Sequence, residues 1–187
     1  MLMLKNSYCI AEGILSKGLC DLTLSELDWS KSADGVIVDG KPLVDADYRR
    51  TDVLWQPPTD SLGCIVRTHI DMANTSAEWG FSLVGQEDTQ FARYRSDNLG
   101  YYNWHVDTEP PKEFGGFQRK LTCVILLNDP SEFEGGCLEF EGAEGKPILT
   151  KQGSIVVFPS FIKHRVTPVT KGVRYSATAW AYGPAFR

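Results

Sequence analysis

The chain contains three histidines, His69, His105 and His164, and two of them open His-x-Asp pairs, His69-Ile70-Asp71 and His105-Val106-Asp107. On a β-strand, residues i and i+2 point to the same face, so such a pair can present one imidazole and one carboxylate to a single ion. A second histidine from a distant strand completes a facial two-histidine, one-carboxylate set. That set leaves coordination positions open, the arrangement suited to non-haem iron(II) and dioxygen chemistry. His105-x-Asp107 has the better context. It follows the aromatic run Tyr101-Tyr102-Asn103-Trp104 and precedes the Pro110-Pro111 loop, and several strands intervene before His164, enough to carry the chain back across a barrel. The candidate metal ligands, and with them the catalytic centre, are therefore His105, Asp107 and His164. His69-x-Asp71 remains an alternative ligand pair, or a pair with no metal role at all.

Ten positions past His164 stands Arg174, followed by Ser176, Thr178 and Trp180. On a strand these four share one face. A buried face carrying Arg, Ser and Thr needs an acceptor-rich partner, and a carboxylate suits it because guanidinium binds carboxylates bidentately. The alternative is an arginine in a structural ion pair. Its fixed relation to the second histidine favours a bound carboxylate over that ion pair.

The elements that must position these residues read mostly as strands. Short apolar or alternating runs between turn signals place them at 35–38, 52–55, 63–70, 80–83, 89–94, 101–106, 119–127, 136–140, 147–150, 154–158 and 174–181. Asn128-Asp129-Pro130, Glu134-Gly135-Gly136 and Gln152-Gly153-Ser154 are turn clusters. The runs 121–127 and 155–158 are apolar without alternation, which predicts central strands buried on both faces. One short amphipathic helix is expected within 11–27, with Ile10, Ile14 and Leu15 at helical spacing. Many short strands indicate a sandwich or barrel, so the fold class is mainly β (α+β).

Composition excludes several other classes. The chain has 187 residues, 42% of them hydrophobic and 23% charged, as expected of one globular domain. A net charge of −5 without a basic run argues against a nucleic-acid partner. No stretch approaches the roughly 20 apolar residues of a membrane span, and the start is too short in apolar run for a secretory leader. Five cysteines at irregular spacing form neither a disulfide framework nor a zinc pattern, which fits a reducing, cytoplasmic setting.

Taken in order, several segments resemble a known family. They are Tyr94 and Tyr102-Asn103-Trp104-His105-Val106-Asp107, then the run 121–128 and Glu134-Gly135-Gly136-Cys137-Leu138. Gly153-Ser154-Ile155-Val156-Val157-Phe158-Pro159, His164 and Arg174-Tyr175-Ser176-Ala177-Thr178-Ala179-Trp180 complete the series. The series is similar to the prolyl 4-hydroxylase-like 2-oxoglutarate oxygenases. His164-Arg165-Val166-Thr167-Pro168-Val169-Thr170-Lys171-Gly172 resembles the bacterial PKHD-type hydroxylases in particular, and both ligand segments resemble the oxygen-sensing prolyl hydroxylases of animals. The resemblance spans residues 90 to 182; residues 1 to 89 match loosely and are expected to be a supporting region of the same domain.

The resemblance implies a double-stranded β-helix (jelly roll) with one or a few supporting N-terminal helices. It implies Fe(II) on His105, Asp107 and His164, with 2-oxoglutarate and O2 as co-substrates and Arg174 on the distal carboxylate of 2-oxoglutarate. Tyr94 matches a tyrosine that helps to bind that co-substrate, and Tyr102, Leu138, Thr178 and Trp180 match pocket residues; Ser176 joins them by the strand argument. Ascorbate commonly keeps the iron of such enzymes reduced. Two departures stand out. The Tyr94 to His105 interval is one residue longer than in the animal enzymes, and Leu126 stands where they have a second tyrosine.

The implied reaction is oxidative decarboxylation of 2-oxoglutarate to succinate and CO2, coupled to hydroxylation of a C–H bond. Asp107 fills the carboxylate position, which favours hydroxylation over halogenation. The resemblance points to a prolyl residue in a protein or peptide, with Trp104, Trp180 and Tyr182 as an aromatic floor for its ring. The segment 36–55, carrying Asp45, Asp47, Arg49 and Arg50, is either a loop over the entrance or a solvated surface loop. Competing readings are oxygenation of a free amino acid or other small molecule, and a non-catalytic, cupin-like metal- or ligand-binding module. The two His-x-Asp pairs are separable by metal titration: Asp107→Ala should abolish metal binding and Asp71→Ala should leave it unchanged, and the reverse pattern would move the centre to His69.

Overall fold

Side-chain alternation along one strand explains the layering. Leu121, Cys123 and Ile125 pack into a cluster with Cys20, Leu62, Val66 and Ile70. Val124 and Leu126 belong to a second cluster with Leu138, Phe140 and Val166. Successive residues of this strand therefore serve opposite cores, so the run lacks polar alternation although it is β.

The computed structural model describes residues 6–35, 37–39, 41–43, 45–59, 61–108 and 115–185. In chain order the elements are β1 (Cys9–Ala11), α1 (Lys17–Ser25), β2 (Ala33–Asp34), β3 (Ile37–Asp39), β4 (Lys41–Leu43), β5 (Arg49–Arg50) and β6 (Asp52–Gln56). Then come α2 (Ser61–Ser76), β7 (Gly85–Gln86), β8 (Thr89–Arg95), β9 (Tyr101–His105), β10 (Phe117–Leu126), β11 (Phe133–Gly135), β12 (Leu138–Phe140), β13 (Ile155–Pro159), β14 (His164–Val166) and β15 (Val169–Pro184). One sheet runs β1-β13-β10-β15-β8-β6-β2, with β7 and β11 also paired to β15. The second runs β12-β14-β9-β5, and β3 pairs with β4 as a separate hairpin. Both helices contribute to the cluster on one face of the large sheet; the small sheet covers its other face. This is the double-stranded β-helix expected, and strands from the first 89 residues extend both sheets.

The central runs behave as their composition predicts. Every residue of β13 is buried, and β10 is buried from Lys120 onward. The expected helix narrows to Lys17–Ser25, where Ser16 caps the N-terminus by accepting from Leu19 N at 3.3 Å. Three expected strands are not strands. Residues 63–70 lie within helix α2, because Leu62, Val66, Ile70 and Ala73 recur at spacings of three and four and form its buried stripe. Their β-branched content suggested a strand, but the spacing prevails. Gly63 fits this helix because a Cβ there would meet the Pro58 carbonyl oxygen at 2.2 Å. Residues 80–83 and 147–150 form no ladder; Ile148 and Leu149 are nevertheless buried and close the small-sheet core from a loop. The expected strand 35–38 lies partly outside the described residues.

The layering makes a stability prediction. Ile125 is 0% exposed between helices and sheet, whereas Met72 is 58% exposed on α2. Ile125→Ala should cost about 2–5 kcal/mol in urea unfolding, and Met72→Ala about 0.5 kcal/mol or less.

Candidate active site

The two sheets bring the ligand candidates together. His105 ends β9 and His164 begins β14, and the two are direct cross-strand partners. Asp107 follows two residues later, where its backbone N–H donates to the Ser160 carbonyl at 2.7 Å. One donor atom from each of His105, Asp107 and His164 lies within 4.8 Å of the others. His105 Nε2 is 3.5 Å from Asp107 Oδ1, and His164 Nε2 is 3.5 Å from Oδ2.

Each imidazole is oriented in the same way. His105 Nδ1 meets the Asn103 carbonyl at 2.7 Å and His164 Nδ1 meets the Ile162 carbonyl at 2.9 Å. A carbonyl only accepts, so each Nδ1 carries the proton and each Nε2 turns a lone pair toward the centre. Burial, and then the neighbouring His164, push His105 down to about 3, which keeps it neutral. Burial alone would raise Asp107, but His164, His105, Arg119 and the Trp180 hydrogen bond outweigh it and hold the carboxyl at about 2. Two imidazole Nε2 atoms and one carboxylate are the donor set that suits a divalent first-row metal with open positions.

The carboxylate has its own supports, which sequence reasoning did not find. Asp107 Oδ2 accepts from Thr122 Oγ1 at 2.9 Å and from Trp180 Nε1 at 3.0 Å. Thr122 and Trp180 are cross-strand partners in the large sheet, so one register supplies both donors. Trp180 is itself held by the guanidinium of Arg119, 4.0 Å from its ring centroid, and Arg119 forms a two-pronged pair with buried Glu87. The even spacing of Thr122, Val124 and Leu126 was the available signal, because it puts a threonine on the site face of an apolar strand.

The expected co-substrate face is present as a surface. Arg174, Ser176, Thr178 and Trp180 line one cavity together with Tyr94, Tyr102, Leu138, His105 and His164. Arg174 is 2% exposed, donates from Nη1 to Ser176 Oγ at 3.0 Å, and lies 5.2 Å from the Tyr94 ring centroid. Burial lowers its pKa, and among the described residues no carboxylate pairs with it. Structural ion pairing, the alternative for this arginine, is therefore absent there. Gly136, at φ +61°, permits the close passage of this side chain, since a Cβ would stand 2.8 Å from Arg174 Cδ.

Other expectations are redistributed. His69 and Asp71 sit on helix α2, where i and i+2 diverge; His69 Nδ1 bonds the Ile65 carbonyl and Asp71 pairs with Arg67 at 2.9 Å. Trp104, one residue from His105 on β9, packs beneath Arg165 at 4.6 Å, and the Tyr182 ring lies 6.1 Å from that of Phe117. Trp55, 47% exposed and 6.0 Å from the Trp180 ring, is the aromatic beside Trp180 that sequence reasoning missed. Within 36–55, the side chains of 36–44 lie outside the described residues. Asp47 is exposed, but Arg49 is buried and enters the cavity, bonding Gln90 at 2.7 Å and stacking 4.4 Å over Tyr102. Tyr102 stacks in turn on His105 at 3.6 Å, and burial raises its phenol to about 12. Leu126 lines a second cavity beside Arg174.

Residues 89–182 match the family model of the 2OG-Fe(II) oxygenase superfamily. The chain belongs to that superfamily. A PKHD-type hydroxylase of Aliarcobacter butzleri (strain RM4018) is 27% identical over 165 residues, 86% of this chain and 70% of that protein. A PKHD-type hydroxylase of Synechococcus sp. (strain CC9902) is 39% identical over 87 residues, 46% of this chain but 38% of the relative's length. Among solved structures, the viral collagen prolyl hydroxylase of Paramecium Bursaria Chlorella virus-1, in its 2OG complex, aligns at TM-score 0.71 and 21% identity, covering 96% of this chain and 97% of that one. A Pseudomonas putida prolyl-4-hydroxylase aligns at TM-score 0.72 and 19% identity, covering 97% and 95%. A prolyl hydroxylase of Trichoplax adhaerens, bound to a hypoxia inducible factor peptide fragment, aligns at 0.63 and 20%, covering 95% and 84%. At these identities the structures establish the fold of the oxygenase.

The supports of Asp107 make a prediction of their own for metal binding. Thr122→Val and Trp180→Phe should each weaken metal affinity about 10- to 100-fold, measured by competition with a chelator. Unchanged affinity in both would mean that the two hydrogen bonds do not orient the carboxylate.

Proposed function

We propose that this oxygenase hydroxylates a prolyl residue in a protein or peptide, binding Fe(II) through His105, Asp107 and His164 and 2-oxoglutarate through Arg174. The observation that carries the proposal is Arg174: a buried guanidinium without an acidic partner among the described residues, on the wall of the cavity that also contains both histidines. An ionic group in so dry a place needs a counter-charge, and the distal carboxylate of a keto-acid supplies one. When bound, the metal supplies the dioxygen activation that couples decarboxylation of 2-oxoglutarate, with release of succinate and CO2, to hydroxylation of a C–H bond.

The chain's own residues do the rest. Arg174 and Ser176 fix the far end of the keto-acid, while Tyr94, Tyr102, Leu138 and Thr178 shape its channel. Thr122 and Trp180 hold the carboxylate of Asp107, and the Asn103 and Ile162 carbonyls hold the imidazoles. Exposed Trp55, its ring 6.0 Å from that of Trp180 in the cavity wall, offers aromatic surface that suits the apolar ring of a prolyl residue. The Trichoplax relative's peptide complex supports a peptide substrate. The five cysteines are free, which supports a reducing, cytoplasmic setting, and ascorbate would serve there to keep the metal ferrous. Strands from both regions of the chain share the same sheets, which supports one oxygenase domain across residues 1–187.

Anaerobic titration with Fe(II) and 2-oxoglutarate should produce a visible metal-to-ligand charge-transfer band. Arg174→Ala should raise the apparent Kd for 2-oxoglutarate at least tenfold. A proline-containing peptide should then accelerate succinate formation more than free amino acids do. Metal binding without a band would leave a metal-binding jelly roll, and stimulation only by free amino acids would replace the peptide substrate with a small molecule.

A further inference from the structure

The two histidines of the site are secured unequally. His164 sits among core aromatics: the Phe158 ring meets it edge-on at 4.8 Å and the Phe140 ring lies 6.5 Å away, both from the buried cluster that the small sheet covers. His105 leans instead on Tyr102, whose ring stacks on it at 3.6 Å and 12°. Tyr102 lies on β9, and beyond β9 the small sheet ends with β5, a strand of two residues. The support of His105 is therefore held from the edge of the sheet.

β5 is too short to provide this by ladder pairing alone. Its register covers Tyr101 and Tyr102, and Asn103 and Trp104, which lead directly into His105, lie past its end. Tyr48 covers both. Its carbonyl accepts the Asn103 N–H at 2.9 Å, and its hydroxyl donates to the Trp104 carbonyl. Backbone polar groups away from water must be met by a partner, and here one side chain stands in for a missing strand residue. The Asn103 carbonyl in turn receives His105 Nδ1 at 2.7 Å, so fixing this backbone fixes the ring's own hydrogen bond. The Tyr48 ring also meets Tyr102 edge-on at 6.0 Å, and Arg49 lays its guanidinium 4.4 Å from the Tyr102 centroid.

Tyr48 is itself anchored. Its N–H and that of Arg49 donate to the Asp45 carbonyl at 3.0 and 2.8 Å, and the Asp47 N–H donates to Asp45 Oδ1 at 2.9 Å. Arg50 Nε ties the turn at the Ala46 carbonyl, 2.7 Å away. A turn bonded in this way is a fixed support and not a solvated loop.

We propose, on the reading of His105 as a metal ligand, that Tyr48 is a positioning residue for it. By holding the backbone of residues 103 and 104 and bracing Tyr102, Tyr48 sets the angle at which the His105 imidazole meets a metal.

Co(II) is the probe, because imidazole and carboxylate sites accept it and its visible ligand-field bands report ligand geometry. Titrated into the full chain, it should give bands that His105→Ala changes or abolishes. Tyr48→Phe, which deletes one oxygen, should raise the apparent Kd for Co(II) about tenfold, the lower end of what lost ligand support costs, and should shift the bands. Tyr101→Phe deletes the hydroxyl that reaches the Ala46 carbonyl at 3.4 Å on the exposed side of the same turn; it should change neither. Tyr102→Leu breaks the chain one link nearer His105 and should also shift the bands, a reading that stands even where Tyr48→Phe does not fold. Unmoved bands in either variant would overturn the proposal. So would equal losses in Tyr48→Phe and Tyr101→Phe, which would reduce Tyr48 to a fastener of its own turn. His105→Ala with wild-type affinity and bands would instead overturn the reading of His105 as a ligand.

Discussion

A carboxylate buried between two sheets is the constraint on which the site depends. Asp107 is 8% exposed and ionised. Moving such a group out of water costs several kcal/mol even after relaxation, so the fold must return that energy through placed donors. The large sheet supplies those donors, Thr122 and Trp180, through one cross-strand pair, and the small sheet aligns the two histidines beside them through another. A slip of one residue in either register would turn these side chains to the opposite face. The chemistry therefore depends on the same strand pairing that builds the core.

That pairing is secured away from the site. Ile125, Ala177 and Ile155 are buried toward the helices, one residue out of phase with the site face. The apolar half of each strand thus holds the register that the polar half uses. Thr122 and Ser176 can sit in a buried face because hydrogen bonds meet their hydroxyls, while Val124 between them keeps the surroundings dry. Dryness strengthens each electrostatic interaction inside, including the Thr122 and Trp180 hydrogen bonds to Asp107.

What was legible in the sequence follows this division. His105, Asp107, His164 and Arg174 could be singled out because their chemistry is rare in a β protein, and the structure brings the three candidate ligands together and puts Arg174 on the cavity wall beside both histidines. The central strands could be read because a two-sided core demands unbroken apolar runs. Helix α2 was misread because Ile65, Val66 and Ile70 favour strands locally, whereas its stripe of Leu62, Val66, Ile70 and Ala73 becomes decisive only against the large sheet. Thr122, Arg119 and Glu87 were illegible for a different reason. Their roles arise from contacts with Trp180: the even spacing of Thr122 with Val124 and Leu126 puts it on the site face, but only the folded register shows what it supports. Arg49 was noticed only as part of an entrance segment; its burial depends on Gln90 and Tyr102, far along the chain.

Charge balance connects the two ends of the cavity. Asp107 places a negative charge beside the two histidines, and Arg174 places a positive charge on the cavity wall with no acid paired to it among the described residues. A divalent cation alone over-compensates the first, and a dianionic keto-acid alone over-compensates the second. Bound together they leave the site with its original net charge, in a medium where unbalanced charge is expensive. The fold thus favours joint occupancy over either component alone. The proposed anchor role gives a reason for a buried Arg174 in an apolar barrel: a bound carboxylate would supply the counter-charge that no described acidic residue supplies.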